Sequence, residues 1–307
     1  MRVLSRIDLR GHAGDVRDVL PRPATPHDGP VDAVHDILED VRRRGDAALR
    51  ELTTRFDGVD LATCRVDRTE IEGALDSVES SLRTALETAA AAIEAYHREQ
   101  VPADVVVDTD GLSVRGMHRP VDRAGCYVPG GRALYPSTVL RTAVPARVAG
   151  VDEVVLCVPP GVVGRVPPAT LAAAAIAGGD EVFAVGGAQA IGALAYGTET
   201  VRPVDVIVGP GNVYVAIAKH LVAGTVGVPS SFAGPSEVVV IADGSSPAAY
   251  AAVDVILQAE HGPDGLAWLV TWDPAVADEV SAEVERLVAE APRRDDIEST
   301  LRRSGHA

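Results

Sequence analysis

The sequence predicts an α/β protein built on a doubly wound parallel sheet, and three observations carry that expectation. Beyond Gly111, short β-branched runs alternate with alanine-rich runs of helical period. The strand candidates read as continuous apolar runs, the pattern of parallel strands covered on both faces. Glycine-rich turns then follow the strands, where helices would begin.

The first third is helical in pattern. Between Val31 and Phe56, Val34, Ile37, Leu38, Val41, Ala48, Leu49 and Leu52 recur at three- and four-residue intervals, and Gly58 supplies a stop. Ile71, Leu75, Val78, Leu82, Leu86, Ala89, Ile93 and Tyr96 hold the same period, with Pro102 just beyond. Two core-facing amphipathic helices are expected from these runs. Strands are expected at 124–128, 153–158, 181–185, 205–208, 237–242 and 266–272. Helices are expected near 136–148, 167–177, 187–196, 211–223, 247–261 and 274–290. Ligands of such sheets bind outside the carboxyl ends of the strands. The loops there read Pro129-Gly130-Gly131, Gly186-Gly187-Ala188-Gln189, Gly209-Pro210-Gly211-Asn212 and Ala233-Gly234-Pro235-Ser236. None is a Walker A loop or a full GxGxxG, and glycine also serves turns for geometry alone. Four in succession point to a nucleotide crevice.

Composition narrows the function. The chain has 307 residues, a formal net charge of -16 and 4% aromatic residues, so neither phosphate-backbone binding nor base stacking is expected. Its length suits about two domains. Cys64, Cys126 and Cys157 are odd in number and widely spaced, as in a reducing cytosol. With no apolar leader in the first residues and no long apolar run, a cytoplasmic protein is expected.

Few residues carry chemistry by pattern alone. Gln258 and His261 stand three apart at a helix end, so an amide oxygen and an imidazole nitrogen would point the same way and could share a metal ion. The same pair also reads as a surface helix end whose histidine complements the helix dipole. Glu260 would be solvated. His12, His27, His35, His97 and His118 fall in surface patterns. His220, beside Lys219, suits the last turn of a helix, and His306 would be mobile at the chain end. The cysteines fit small buried hydrophobes.

Several blocks together resemble histidinol dehydrogenase. They are Tyr127-Val128-Pro129-Gly130-Gly131 with Tyr135-Pro136-Ser137-Thr138-Val139-Leu140, Val185-Gly186-Gly187-Ala188-Gln189-Ala190-Ile191, Ala195-Tyr196-Gly197-Thr198-Glu199-Thr200, Val208 to Ala216, Ala233 to Glu237, and Gln258-Ala259-Glu260-His261. The resemblance implies two incomplete Rossmann-like doubly wound sheets with an N-terminal helical segment. It implies zinc- and NAD-dependent oxidation of L-histidinol through the aldehyde to L-histidine, in a homodimer. Matching positions would make Tyr127, Gln189 and Asn212 contacts of NAD. Ser236 would contact substrate, while Gln258 and His261 would bind zinc and face the substrate. It further implies an arm at 1–22, a discontinuous domain of 23–126 with 236–307, and an inserted domain at 127–235.

Departures qualify the resemblance. The family's catalytic Glu-His pair, a second catalytic histidine and further Asp and His zinc ligands have no counterpart before Ala307. A truncated form with doubtful activity of its own, or an NAD-binding remnant, is therefore an expectation. Pro229-Ser230-Ser231-Phe232 and Gly262 also differ from the family pattern. A relative oxidising another small polar alcohol, such as a sulfonated diol, is the alternative.

Overall fold

The computed structural model describes residues 4–21, 30–130, 134–229, 236–260 and 265–307. These fall into two compact units, one of Asp28–Phe232 and one of Met1–His27 with Ala233–Ala307.

In the larger unit, the first apolar run forms two helices rather than one, α1 (Val31–Arg44) and α2 (Asp46–Asp57). Gly45 between them takes a positive φ of 54°. The break is held by reciprocal caps: Glu199 accepts the Asp46 N–H at 2.7 Å, and Asp46 accepts the Thr200 hydroxyl at 3.0 Å. The second run also divides, into α3 (Arg68–Ser77) and α4 (Ser80–Arg98), because Val78 is extended. Next comes an unanticipated antiparallel hairpin, β1 (Val105–Thr109) and β2 (Leu112–Gly116), turning at Asp110-Gly111. Both of its faces are exposed, so it lacks the one-sided apolar alternation that marks a strand in sequence.

Crossovers then follow in the expected order: β3 (Arg123–Tyr127), α5 (Pro136–Val148), β4 (Glu153–Val158), α6 (Pro168–Ile176), β5 (Glu181–Ala184), α7 (Gly187–Tyr196), β6 (Val206–Val208) and α8 (Val213–Val222). The parallel sheet runs β5-β4-β3-β6. In chain order this is 3-2-1-4, with the reversal between β3 and β6. Alternate residues feed two cores. Tyr127, Val155, Cys157, Phe183 and Ile207 join residues of α1, α2, α7 and α8. Cys126, Val154, Leu156 and Val182 join those of α3 to α6. This two-sided burial makes the strands read as unbroken apolar runs. Within this unit α1 lies on α7 and α8, α3 on α6, and α4 on α5.

At the amino ends of these strands, buried Arg123 pairs with Glu153 on β4 and Glu181 on β5. Arg65 reaches Glu181 from outside at 2.7 Å. All three cysteines are free and buried. Burial pushes the thiol of Cys64 up to about 11 and that of Cys126 up to about 12, so neither is poised as a nucleophile.

The smaller unit is a second parallel sheet, β7-β8-β9, formed by β7 (Glu237–Ile241), α9 (Ala248–Glu260), β8 (Leu266–Val270), α10 (Pro274–Glu290), α11 (Arg294–Ser304) and β9 (Gly305–His306). Its core gathers Ala252, Val255, Leu269, Val280, Val284, Ile297 and Leu301. The closing segment corrects an expectation, since α11 and β9 are ordered elements. Ser5 bridges to His306, and the Ala307 N–H donates to the Ser5 carbonyl at 2.8 Å. Held this way, the His306 ring meets Trp268 edge-on at 5.8 Å, and burial lowers its pKa. Glu260 is not simply solvated either: Arg293 stands 3.7 Å from it.

Candidate functional site

The strand order reverses between β3 and β6, the place where a ligand crevice is expected in such a sheet; of the expected cofactor contacts, Tyr127 ends β3, Asn212 follows β6 and Gln189 follows β5. Tyr127 is the last residue of β3, 3% exposed, and its hydroxyl accepts the Gly187 N–H at 3.1 Å. Burial pushes this phenol up to about 12, so it stays protonated and can also donate. Asp57, at the end of α2, adds to that rise by its charge. The Asp57 carboxyl is itself held above the usual aspartate range by burial.

Gly187 opens α7 with φ at 65°, a conformation that suits glycine. It also leaves room for Gln189, since a methyl group there would come 2.5 Å from the Gln189 Oε1. Gln189 is 1% exposed, yet neither amide atom has a hydrogen-bond partner among the described residues. A buried, unsatisfied amide is costly and needs an account.

After β6, Asn212 caps α8, its side chain accepting the Val215 N–H at 3.1 Å. The N–H groups of Val213 and Tyr214 in that first turn have no intrahelical acceptor, as at any helix start. Gly209, with φ at 109°, carries β6 so close to β3 that a methyl group would collide with the Tyr127 carbonyl. The carboxyl-end side of this sheet thus carries a buried phenol bonded to the start of α7, an amide with no partner among the described residues, a glycine close approach at β6 and a helix start capped by Asn212. They fit the polar, hydrogen-bonding demands of a dinucleotide.

The second set of expected contacts belongs to the smaller unit and stands elsewhere than strand carboxyl ends. Gln258 lies near the end of α9, and its Nε2 donates to the Ser236 carbonyl at 2.9 Å. That carbonyl also accepts the Leu266 N–H at 3.3 Å, so Gln258 is clipped to the amino ends of β7 and β8. With Nε2 committed, Oε1 is left as the acceptor a cation would take, which fits an amide-oxygen ligand in kind. Ser236 is exposed. His261 lies outside the described residues, as do Gly131 and the Ala233-Gly234-Pro235 block. Among the described residues, no three His, Cys, Asp or Glu side chains group as metal ligands.

Pattern reading missed Lys219. It is 4% exposed, and its ammonium donates to the Gly209 carbonyl at 3.0 Å. The signal was present, since Val215, Lys219 and Val222 share one helical face and the other two are buried apolar residues. His220, by contrast, is exposed in the last turn as expected.

Fold and crevice together define a Rossmann-like α/β protein of the doubly wound class. Residues 20–307 match the profile described as histidinol dehydrogenase. The chain is 46% identical over 291 residues to histidinol dehydrogenase of Methanothermobacter thermautotrophicus, covering 94% of this chain and 68% of that protein. It is 50% identical over 278 residues to the Synechococcus sp. enzyme of the same name, covering 90% and 64% respectively. The crystal structure of histidinol dehydrogenase from Elizabethkingia anophelis superposes with a TM-score of 0.91 at 33% identity, over 100% of this chain and 71% of that one. The chain belongs to the histidinol dehydrogenase family. It spans about two thirds of the length of these curated relatives.

Proposed function

We propose that the protein serves in the NAD-dependent oxidation of L-histidinol, through L-histidinaldehyde, to L-histidine. The observation that carries this reading is the buried Gln189 amide, without a partner among the described residues, on the helix whose Gly187 N–H bonds the Tyr127 hydroxyl, in a chain of this family. Gln189 would offer its amide to the dinucleotide, whose polar groups supply the partners that it lacks. The Tyr127 hydroxyl, fixed by the Gly187 N–H, would donate to the cofactor and exclude water from that wall. Asn212 would hold the start of α8 so that its open N–H groups face an anionic group.

On the smaller unit, Gln258 and His261 would hold zinc, with Ser236 and the same two side chains contacting substrate. Zinc, when bound, supplies a Lewis acid that can fix a polar substrate and polarise its alcohol oxygen. The Ser236 carbonyl keeps the Gln258 amide from turning, which presents Oε1 in one orientation. The base that takes the hydroxyl proton is assigned to no residue of this chain. A cytoplasmic homodimer is part of the same proposal; no helix among the described residues is long and apolar enough to cross a membrane.

Deletion of the encoding gene tests the reading. The mutant should require histidine, be relieved by L-histidine and fail to grow on L-histidinol. Growth without supplement, or rescue by L-histidinol, would show that another reaction is served.

A further inference from the structure

A lysine ammonium is expensive to bury, and an aliphatic side chain would fill the inner face of α8 without desolvating a charge. Lys219 nonetheless occupies that face between Val215 and Val222, at 4% exposure. Its ammonium donates to the carbonyl of Gly209, a peptide oxygen outside the helix ladder of α8, whose first bond runs from Ala216 to Asn212. Gly209 is also the residue whose backbone touches the end of β3 at Tyr127. One ammonium thus fixes the peptide at which the two strands flanking the crevice meet.

Orientation of that peptide matters to an anionic ligand. A carbonyl turned toward the crevice would present its negative end to a phosphate, whereas a carbonyl held on the ammonium cannot turn outward without breaking a charge-assisted bond. We infer that Lys219 is a positioning residue of the dinucleotide site: by holding the Gly209 carbonyl inward it sets the β6–α8 turn, and so the Asn212 cap, in the form that receives the cofactor. This rests on the NAD reading of the β3–β6 crevice, and Lys219 itself touches no substrate. Burial lowers the lysine pKa, as expected for an ammonium kept for its bond rather than for solvation.

The experiment titrates NAD into the purified chain by calorimetry and follows thermal unfolding in parallel. Lys219→Met keeps the stem and removes the ammonium, and it should weaken NAD binding by about tenfold or more. Val222→Ala, which opens a cavity on the same face, should lower the melting temperature while leaving affinity within about twofold. Lys219→Arg, retaining a cation and donors, should recover most of the affinity. Should Lys219→Met not fold, Lys219→Gln replaces it and should bind NAD at least about fivefold more weakly than Lys219→Arg. Equal affinities for wild type and Lys219→Met, or for Gln and Arg, overturn the proposal. So does loss of affinity in Val222→Ala equal to that in Lys219→Met, which would assign the effect to stability alone. A wild-type chain that does not bind NAD removes the cofactor reading itself and the proposal with it, a failure distinct from the others.

Discussion

Replacing Gln189 by methionine should make the protein more stable and a poorer dinucleotide binder. The substitution nearly conserves volume, so the site in α7 need not reshape. It removes two buried polar atoms with no partner among the described residues, in a side chain only 1% exposed. An unsatisfied buried group costs about 1–3 kcal/mol, and the amide as a whole is counted once because the thioether fills the same space. For a unit of this size, each kcal/mol moves the melting temperature by roughly 2–4 °C. The Gln189→Met protein should therefore unfold a few degrees higher in a calorimetric scan without cofactor. With NAD well above the wild-type Kd the order should reverse, because the tighter-binding wild type gains more from the ligand. A Gln189→Met protein that melts at or below the wild-type temperature without cofactor would refute the reasoning, since the amide would then be satisfied in the free protein.

Two further tests bear on charge. Arg123→Met removes a guanidinium 7% exposed and takes one partner each from Glu153 and Glu181, which keep Arg202 and Arg65 respectively. The loss should reach about 1–3 kcal/mol in urea unfolding, the cost of charge-assisted bonds lost from acids that stay paired, and a loss below about 0.5 kcal/mol would show the network to be superficial. Asp57 has a raised folded-state pKa, so its protonated form is the one the fold favours. Its contribution is therefore present at low pH and declines as the pH rises through that raised value. Asp57→Asn should accordingly gain stability over wild type as the pH climbs out of the usual aspartate range, near 4. Parallel melting curves across that range would count against the assignment.

Much of the larger unit was legible because its physics is local. Apolar runs at 153–158 and 181–184 announce strands covered on both faces, and the β-strand and helix order follows from their alternation. What escaped depended on partners distant in sequence. The break at Gly45 is held by Glu199, some 150 residues later, so periodicity across 31–56 gave one helix instead of two. Residues 105–116 are exposed on both faces and therefore carry no alternation to read. Tyr127 and Gln189 were identifiable through family blocks, but the unpaired state of the Gln189 amide is visible only in three dimensions. Lys219 was hidden by its position in a helix's last turn, where the dipole offers a ready explanation for any cation. His306 was misjudged because nearness to a chain end says nothing about pairing with β8.

The 3-2-1-4 order also sets when the crevice can exist during folding. β3, β4 and β5 are joined by crossovers between consecutive strands, whereas Ala124 of β3 pairs with Val206 of β6, 82 residues further on. Loop closure over that distance is the costlier step, so non-local pairing of this kind forms slowly. During synthesis the β3 edge must wait, unpaired, until residues 206–208 have left the ribosome, and an unpaired strand edge invites association with other chains. The β3–β6 pairing, at which the cofactor is proposed to bind, is thus completed last. A cofactor added to refolding protein would select for this finished strand pairing and oppose its reopening, without hastening the β3–α5–β4–α6–β5 steps that precede it.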